Sequence, residues 1–352
     1  MNPAELERYR RQTLLPEVGV EGQEKLQRAR VLCVGAGGLG APVLLYLASA
    51  GVGHLGIVDP DHVEMSNLQR QVIYRNADCG RLKVEVAREQ LLALNPTITV
   101  TPYPVALTAA NALSILADYD LIVDGTDNFT AKFLINDASV KLGKPLIHAA
   151  VTGFEGQLVS FSGINGPCYR CLYPRPPLTA IPNCADAGVL GAVVGVVGSL
   201  QALAAIQCVL RDYAVPECKL VFFEARTHQL SSFKITARAD CAVCSIPKHE
   251  IQLEAAPREL SDVYWLDVRS PDEWSGGHIP HSLNWPVALI DNGQWPEVLK
   301  SQPIRVYCAT GLRSARAAAR LRNAGFEHVD TLALGLRQWT GPLVTDTQNP
   351  LR

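Results

Sequence analysis

The chain has 352 residues, 48% of them hydrophobic, and a formal net charge of −2. That is enough for two packed domains, and the near-neutral balance gives no electrostatic case for nucleic acid or an anionic membrane as partner. Residues 1–11 are polar and charged, unlike an export signal, so the ten cysteines are expected to act as metal ligands and reactive thiols in a cytoplasmic setting rather than as disulfides.

In chain order, an apolar strand is expected over 30–34, a helix over 41–50 and a second strand over 55–58. Gly35-Ala36-Gly37-Gly38-Leu39-Gly40 lies between the first strand and the helix. Glycines Gly35, Gly37, Gly38 and Gly40 allow a tight turn and close approach of backbone to phosphate. Asp59 ends the second strand, where its carboxylate can accept from a ribose hydroxyl. This fingerprint alone fits NAD, FAD or any adenine nucleotide. Ser66-Asn67-Leu68-Gln69-Arg70-Gln71 and Lys83 then supply cations, and Gly125-Thr126-Asp127-Asn128 closes a later strand. Arginine, lysine and a carboxylate around a nucleotide suit a triphosphate with magnesium better than a nicotinamide ring. Further strands are expected over 98–100, 121–123 and 145–149, with helices over 83–94 and 128–142. Alternation of this kind predicts a Rossmann-like α/β domain with a mostly parallel sheet, and 157–162 and 220–224 read as later strands of it.

Cys168-Tyr169-Arg170-Cys171 and Cys241-Ala242-Val243-Cys244 are two Cys-x-x-Cys knuckles. Four thiolates from two such pairs can close a tetrahedral shell around one structural Zn2+; a redox dithiol is the competing use of either pair. Cys184, in Pro182-Asn183-Cys184-Ala185-Asp186, is a loop thiol before an apolar stretch over 187–210. A thiol beside a helix start can be nucleophilic. The stretch is long enough to span a bilayer, but its glycines and its lack of aromatic anchors fit a helix in a soluble core or subunit interface. The polar, proline-containing segment 246–260 reads as a linker. This divides the chain into 1–245, the linker, and a small α/β domain over 261–352.

In that last domain, Cys308-Ala309-Thr310-Gly311-Leu312-Arg313-Ser314 follows a strand-like run over 304–307 and precedes an amphipathic segment over 314–323. A thiol at the mouth of a helix, beside free N–H groups and Arg313, should favour thiolate. A cysteine-phosphatase loop would hold one more residue between Cys and Arg, so this tighter loop suits a terminal sulfur. His54, His62, His148, His278 and His281 show no metal spacing and are assigned no chemistry.

The C-terminal loop, with Leu266-Asp267-Val268-Arg269, Glu273-Trp274 and Gly277-His278-Ile279-Pro280 upstream, resembles the rhodanese sulfurtransferases. The sequence departs from that pattern at His281, where glycine is common, and at Leu334-Gly335-Leu336, where two glycines are usual. The N-terminal motifs, from Arg8-Tyr9-Arg10-Arg11-Gln12 to Cys244, resemble the MoeB/ThiF family, relatives of ubiquitin-activating enzymes. That resemblance implies ATP with Mg2+: Gly38 against the phosphates, Asp59 on the ribose, Arg70 and Lys83 neutralising phosphate charge, Asp127 holding magnesium, with Asn67 and Asn128 beside them. It implies a homodimer in which Arg11 enters the partner's site, a single Zn2+ on the knuckles, and Cys184 in a covalent step after adenylation.

Together the resemblances imply an adenylyltransferase and sulfurtransferase. It would adenylate the C-terminal Gly-Gly carboxylate of a small ubiquitin-like, β-grasp sulfur-carrier protein. Sulfur would then pass from a Cys308 persulfide, charged by a cysteine desulfurase or thiosulfate, to give a thiocarboxylate for molybdopterin, thiamine, tRNA-thiolation or metabolite pathways. An NAD- or FAD-dependent oxidoreductase with an appended rhodanese domain, or a non-catalytic scaffold for a ubiquitin-like partner, are the alternatives.

Overall fold

A computed structural model describes residues 1–164, 166–174, 188–215, 217–253, 263–298, 300, 302–332, 335–337, 339, 341 and 343–345. In the N-terminal unit, strands β1 (Arg30–Val34), β2 (His54–Val58), β3 (Thr99–Tyr103), β4 (Leu121–Asp124), β5 (Leu146–Thr152), β6 (Glu155–Phe161), β7 (Lys219–Glu224) and β8 (Gln229–Lys234) form one sheet. Its order is β3-β2-β1-β4-β5-β6-β7-β8, parallel from β3 to β5 and antiparallel from β5 to β8. The central strands read as unbroken apolar runs because helices cover both faces. Pro102 is tolerated because β3 is an edge strand. β8 is exposed along its whole length, so it carries no apolar alternation by which the sequence would announce it.

The helices of this unit are α1 (Pro3–Thr13), α2 (Gly19–Arg28), α3 (Gly40–Ala50), α4 (Lys83–Leu94), α5 (Ala112–Ala117), α6 (Phe129–Leu142), α7 (Tyr169–Leu172) and α8 (Gly191–Leu210). α8 is the apolar stretch of the sequence. It is long and apolar enough to cross a membrane, and half of it is buried in the fold. Val193, Val194 and Val197 pack with Leu39, Ala149, Val151 and Phe223. Gly198 lets it lie close to α3, since a Cβ there would stand 2.4 Å from Pro42 Cγ. Its other face, with Val196 and Leu203, is exposed.

The stretch expected as a linker begins inside this unit. Lys248–Glu250 forms a 3-10 turn, and Ile251 is buried against Val140, Cys168, Cys241 and Val243. Residues 254–262, which include Pro257, lie outside the described residues.

The C-terminal unit holds β9 (Tyr264–Asp267), α9 (Pro271–Ser275), β10 (Leu283–Asn284), α10 (Val287–Asp291), β11 (Ile304–Tyr307), α11 (Leu312–Asn323) and β12 (Val329–Thr331). Its sheet, ordered β10-β9-β11-β12, is parallel throughout. α11 turns Ala317, Ala318 and Leu321 onto a core of Leu266, Val306 and Phe326, and its arginines face out.

Candidate functional site

From β1 the chain moves to β2 and β3 on one side and reaches β4 on the other, so a crevice opens at the carboxyl ends of β1 and β4. Gly35 and Gly125 meet there. Gly35 has φ +95°, and a Cβ on it would stand 2.7 Å from Gly125 O; one on Gly40 would stand 2.0 Å from Gly35 O. No side chain fits at either point. Ala36 N–H donates to Asp59 Oδ2 at 2.8 Å and Asp61 N–H to Oδ1 at 2.9 Å. Each carboxylate oxygen keeps a lone pair for a ribose hydroxyl. Burial pushes the Asp59 carboxyl up, against the opposing charge of Lys83. Tyr74 OH donates to Ala36 O at 2.8 Å and fixes the loop from below.

The cations lie around this floor. The Arg70 stem runs 3.6 Å from where a Gly38 Cβ would stand, and its Nη1 donates to Ser66 O at 3.1 Å. Lys83 opens α4; its buried Nζ meets the exposed carboxylate of Asp61 at 2.9 Å. Asp127 is exposed. Asn67 and Asn128 are partly committed to the fold: Asn67 Oδ1 accepts from Glu64 N at 3.3 Å, and Asn128 caps α6 by accepting from Ala131 N at 2.8 Å.

Beneath Asp127 lies a group the sequence reading missed. Asp124 Oδ2 is 2.7 Å from His148 Nδ1 and 3.3 Å from Lys132 Nζ, all three buried. Thr126 N and Oγ1 donate to Asp124 Oδ1 at 2.9 and 2.6 Å. Lys132 also donates to Thr126 O at 2.7 Å and Ala149 O at 3.1 Å, while Gln201 Nε2 donates to Asp124 O at 2.7 Å. Burial would raise the Asp124 carboxyl, but Lys132, His148 and Thr126 hold it well below the usual carboxylate range. Burial lowers His148. An ionised Asp124 can only accept, so His148 Nδ1 donates to it. The available signal was Lys132, the fourth residue of α6, whose side chain returns from the first turn of the helix toward the turn before it.

Arg11 is exposed on α1. Gln12 Nε2 donates to Ala50 O at 3.1 Å, Arg8 Nη1 to Leu94 O at 3.0 Å, and Asn95 Nδ2 to Tyr9 OH at 2.9 Å. α1 thus docks on the C-terminal ends of α3 and α4, whereas the glycine loop and Lys83 stand at their N-termini. About 15 Å of helix, at ~1.5 Å per residue, separates the two ends.

The sulfurs of Cys168, Cys171, Cys241 and Cys244 all lie within 4.8 Å of one another. Cys168 and Cys241 sulfurs are 3.6 Å apart, and those of Cys171 and Cys244 3.3 Å. None is in a disulfide. Such spacings fit the edges of a tetrahedron with Zn–S bonds of about 2.3 Å, so these residues fit one zinc ion. Arg170 anchors the first knuckle through a buried pair with Asp137 of α6 at 2.6 Å. Cys184 lies outside the described residues.

In the C-terminal unit, Cys308 is fully buried where β11 ends. Gly311 takes φ +93° and its N–H donates to Cys308 Sγ at 3.1 Å; Ser314 Oγ is 3.6 Å away. Burial would raise the thiol, but its hydrogen bond with the Ser314 hydroxyl and those from the backbone N–H groups of Ser314, Thr310 and Gly311 hold it below its usual value. Arg313, expected to favour the thiolate, is within electrostatic reach of Cys308, but its hydrogen bonds go to Glu273: Nη1 and Nη2 donate to Oε2 and Oε1, both at 2.7 Å. The two departures from the rhodanese pattern also resolve. His281 adopts φ +61°, a conformation that explains why glycine is common there. The retained Gly335 is the indispensable one, since its Cβ would stand 2.1 Å from Cys308 O; Leu334 lies outside the described residues.

Comparison with known proteins matches residues 9–244 to the ThiF family and residues 252–342 to the rhodanese-like domain. A sulfur carrier protein adenylyltransferase of Thermus thermophilus is 50% identical over 264 residues, covering 73% of this chain and 95% of its own. A probable adenylyltransferase/sulfurtransferase MoeZ of Mycobacterium tuberculosis is 40% identical over 377 residues, covering 97% and 94%. Among solved structures, a crystal structure of E. coli MccB with MccA-N7isoASN aligns with TM-score 0.61 at 24% identity, over 70% of this chain and 76% of that one. It shares the fold.

Proposed function

This chain belongs to the ThiF family and carries a rhodanese-like domain behind it, and from that premise we propose how its residues divide the work. It is an adenylyltransferase and sulfurtransferase acting on a sulfur-carrier protein, a reading supported by one relative named a sulfur carrier protein adenylyltransferase and another named a probable adenylyltransferase/sulfurtransferase. The carrier's C-terminal glycine carboxylate attacks the α-phosphorus of ATP, and pyrophosphate leaves. Asp59 holds the ribose, the Gly35–Gly40 loop admits the phosphates, and Arg70 and Lys83 offset the charge that develops on the leaving group. A magnesium ion held at Asp127 would add to that neutralisation. Lys83 exchanges the exposed Asp61 for a phosphate oxygen at little cost, because Asp61 returns to water.

The acyl-adenylate is then open to sulfur. The terminal sulfur of a Cys308 persulfide attacks the acyl carbon and AMP leaves, giving an acyl disulfide. A second thiolate, assigned to Cys184, attacks the Cys308 sulfur; a Cys308–Cys184 disulfide forms and the carrier leaves as thiocarboxylate, and two equivalents of external thiol, leaving as their own disulfide, restore both cysteines. Arg11 acts in the partner subunit of a homodimer. The docking of α1 at the far ends of α3 and α4 supports this, because Arg11 is carried away from the crevice of its own chain.

One observation carries the reading: a glycine-walled crevice ringed by Asp59, Arg70, Lys83 and Asp127 shares a chain with a hydrogen-bonded, rhodanese-type loop thiol. The test is ATP–pyrophosphate exchange with a carrier protein ending in Gly-Gly. Asp127→Ala should lower exchange about 10²–10³-fold, while Cys308→Ala keeps exchange and loses thiocarboxylate. Undiminished exchange in Asp127→Ala would remove that residue from its role. A carrier still thiocarboxylated by Cys308→Ala at the parent rate would remove Cys308 from its own.

A further inference from the structure

The surroundings of Cys308 narrow the class of sulfur donor, an inference that rests on the sulfur-carrying role given to it above. We propose that Glu273 selects the donor: by pairing Arg313 it withholds the loop's cation from anionic donors such as thiosulfate and reserves Cys308 for a persulfide presented by another protein. Both reactions yield the same loaded thiol. With thiosulfate, the Cys308 thiolate attacks the outer sulfur, the S–S bond breaks, and sulfite leaves with the electron pair. With a protein persulfide, the outer sulfur moves to Cys308 and the donor's thiolate leaves. Only the first brings a dianion to the loop.

Both terminal nitrogens of Arg313 are committed to the two oxygens of Glu273. Glu273 is itself held, accepting from Ser270 N and Ser270 Oγ, each at 3.1 Å, as the reciprocal half of the α9 capping box. The pair is therefore built in from both sides. Arg269 offers no substitute, because its guanidinium is buried on Asp267 and on Gly277 O. The rest of the loop is uncharged: Ala309, Thr310, Gly311 and Leu312 lie between Cys308 and Arg313, and Leu312 is 81% exposed. A neutral, partly apolar rim suits a docking protein surface better than a small dianion. Arg337 is the competing cation. It is exposed and follows Leu336, whose N–H donates to Cys308 O at 2.9 Å.

Glu273→Gln removes the charge and keeps the cap, since glutamine serves equally at that position. In the full-length zinc-loaded protein, alkylation of Cys308 by iodoacetate and by iodoacetamide, resolved by mass spectrometry, reads local charge independently of sulfur chemistry. Glu273→Gln should raise the iodoacetate-to-iodoacetamide rate ratio about threefold and lower KM for thiosulfate about tenfold, with kcat little changed. Glu273→Asp should keep the parent ratio, and Arg313→Gln added to Glu273→Gln should restore it. An unchanged ratio and KM in Glu273→Gln would overturn the proposal, as would a gain abolished by Arg337→Gln and not by Arg313→Gln. If Cys308 takes up sulfur from no donor in any variant, the sulfur-carrying role fails, and the alkylation ratio still decides the charge-masking role of Glu273.

Discussion

Lys132 illustrates how one side chain can order a site it does not touch. Its ammonium closes a buried network with Asp124, Thr126 O and Ala149 O, so the turn leading to Asp127 has its polar groups satisfied from within. Lys132→Met would leave Asp124 buried with only His148 and Thr126. Removing one partner of a buried ion pair costs about 3–5 kcal/mol, and denaturant unfolding should show a loss of that size, with Lys132→Arg recovering much of it. Residues proposed to meet ligand directly are legible in the sequence because their chemistry demands particular types at particular spacings, as with Asp59 after the glycine loop. Lys132 and His148 are not, because a buried ion network is built from contacts between β4, β5 and α6 that have no fixed separation along the chain. Glu273 escaped notice for the same reason, lying 40 positions before the Arg313 it pairs with.

Among the elements, the central strands and α3, α4 and α6 follow from apolar runs and glycine punctuation. α1 is harder to read, because it shows the core only Tyr9. The two knuckles gain their meaning from α6, which carries Asp137 and Asn136 to α7 and, at its other end, is capped by Asn128 next to Asp127. Cys168→Ser or Cys244→Ser should therefore lose the one zinc per chain expected from metal analysis and lower the melting temperature of the N-terminal unit, because a four-thiolate shell contributes folding energy directly. In the C-terminal unit, the turn before β10 holds His281 at φ +61°. A side chain there costs about 1–2 kcal/mol, partly offset by glycine's greater unfolded freedom, so His281→Gly should stabilise this unit by about 1 kcal/mol. Tryptophan fluorescence reports it selectively, since Trp265, Trp274, Trp285, Trp295 and Trp339 all belong to it.

For the molecule as a whole, two α/β units supply an electrophile and a nucleophile from one chain, and each was recognisable alone by its loop. On the proposed role of Arg11, the complete adenylation site draws on two chains. Mixing Arg11→Ala with Asp127→Ala subunits should restore about a quarter of the exchange activity if random pairing leaves half the dimers mixed, each with one intact site; no rescue would confine Arg11 to its own subunit or to no role. The berth of α1 at the far ends of α3 and α4 has a further consequence, for the rate law. A site completed by a second chain exists only while two chains are together, so activity per milligram should fall as the enzyme is diluted through its association constant. A Cys308-only reaction, such as persulfide loading, would keep its specific rate over the same dilution. The two activities of one polypeptide would then separate by concentration alone.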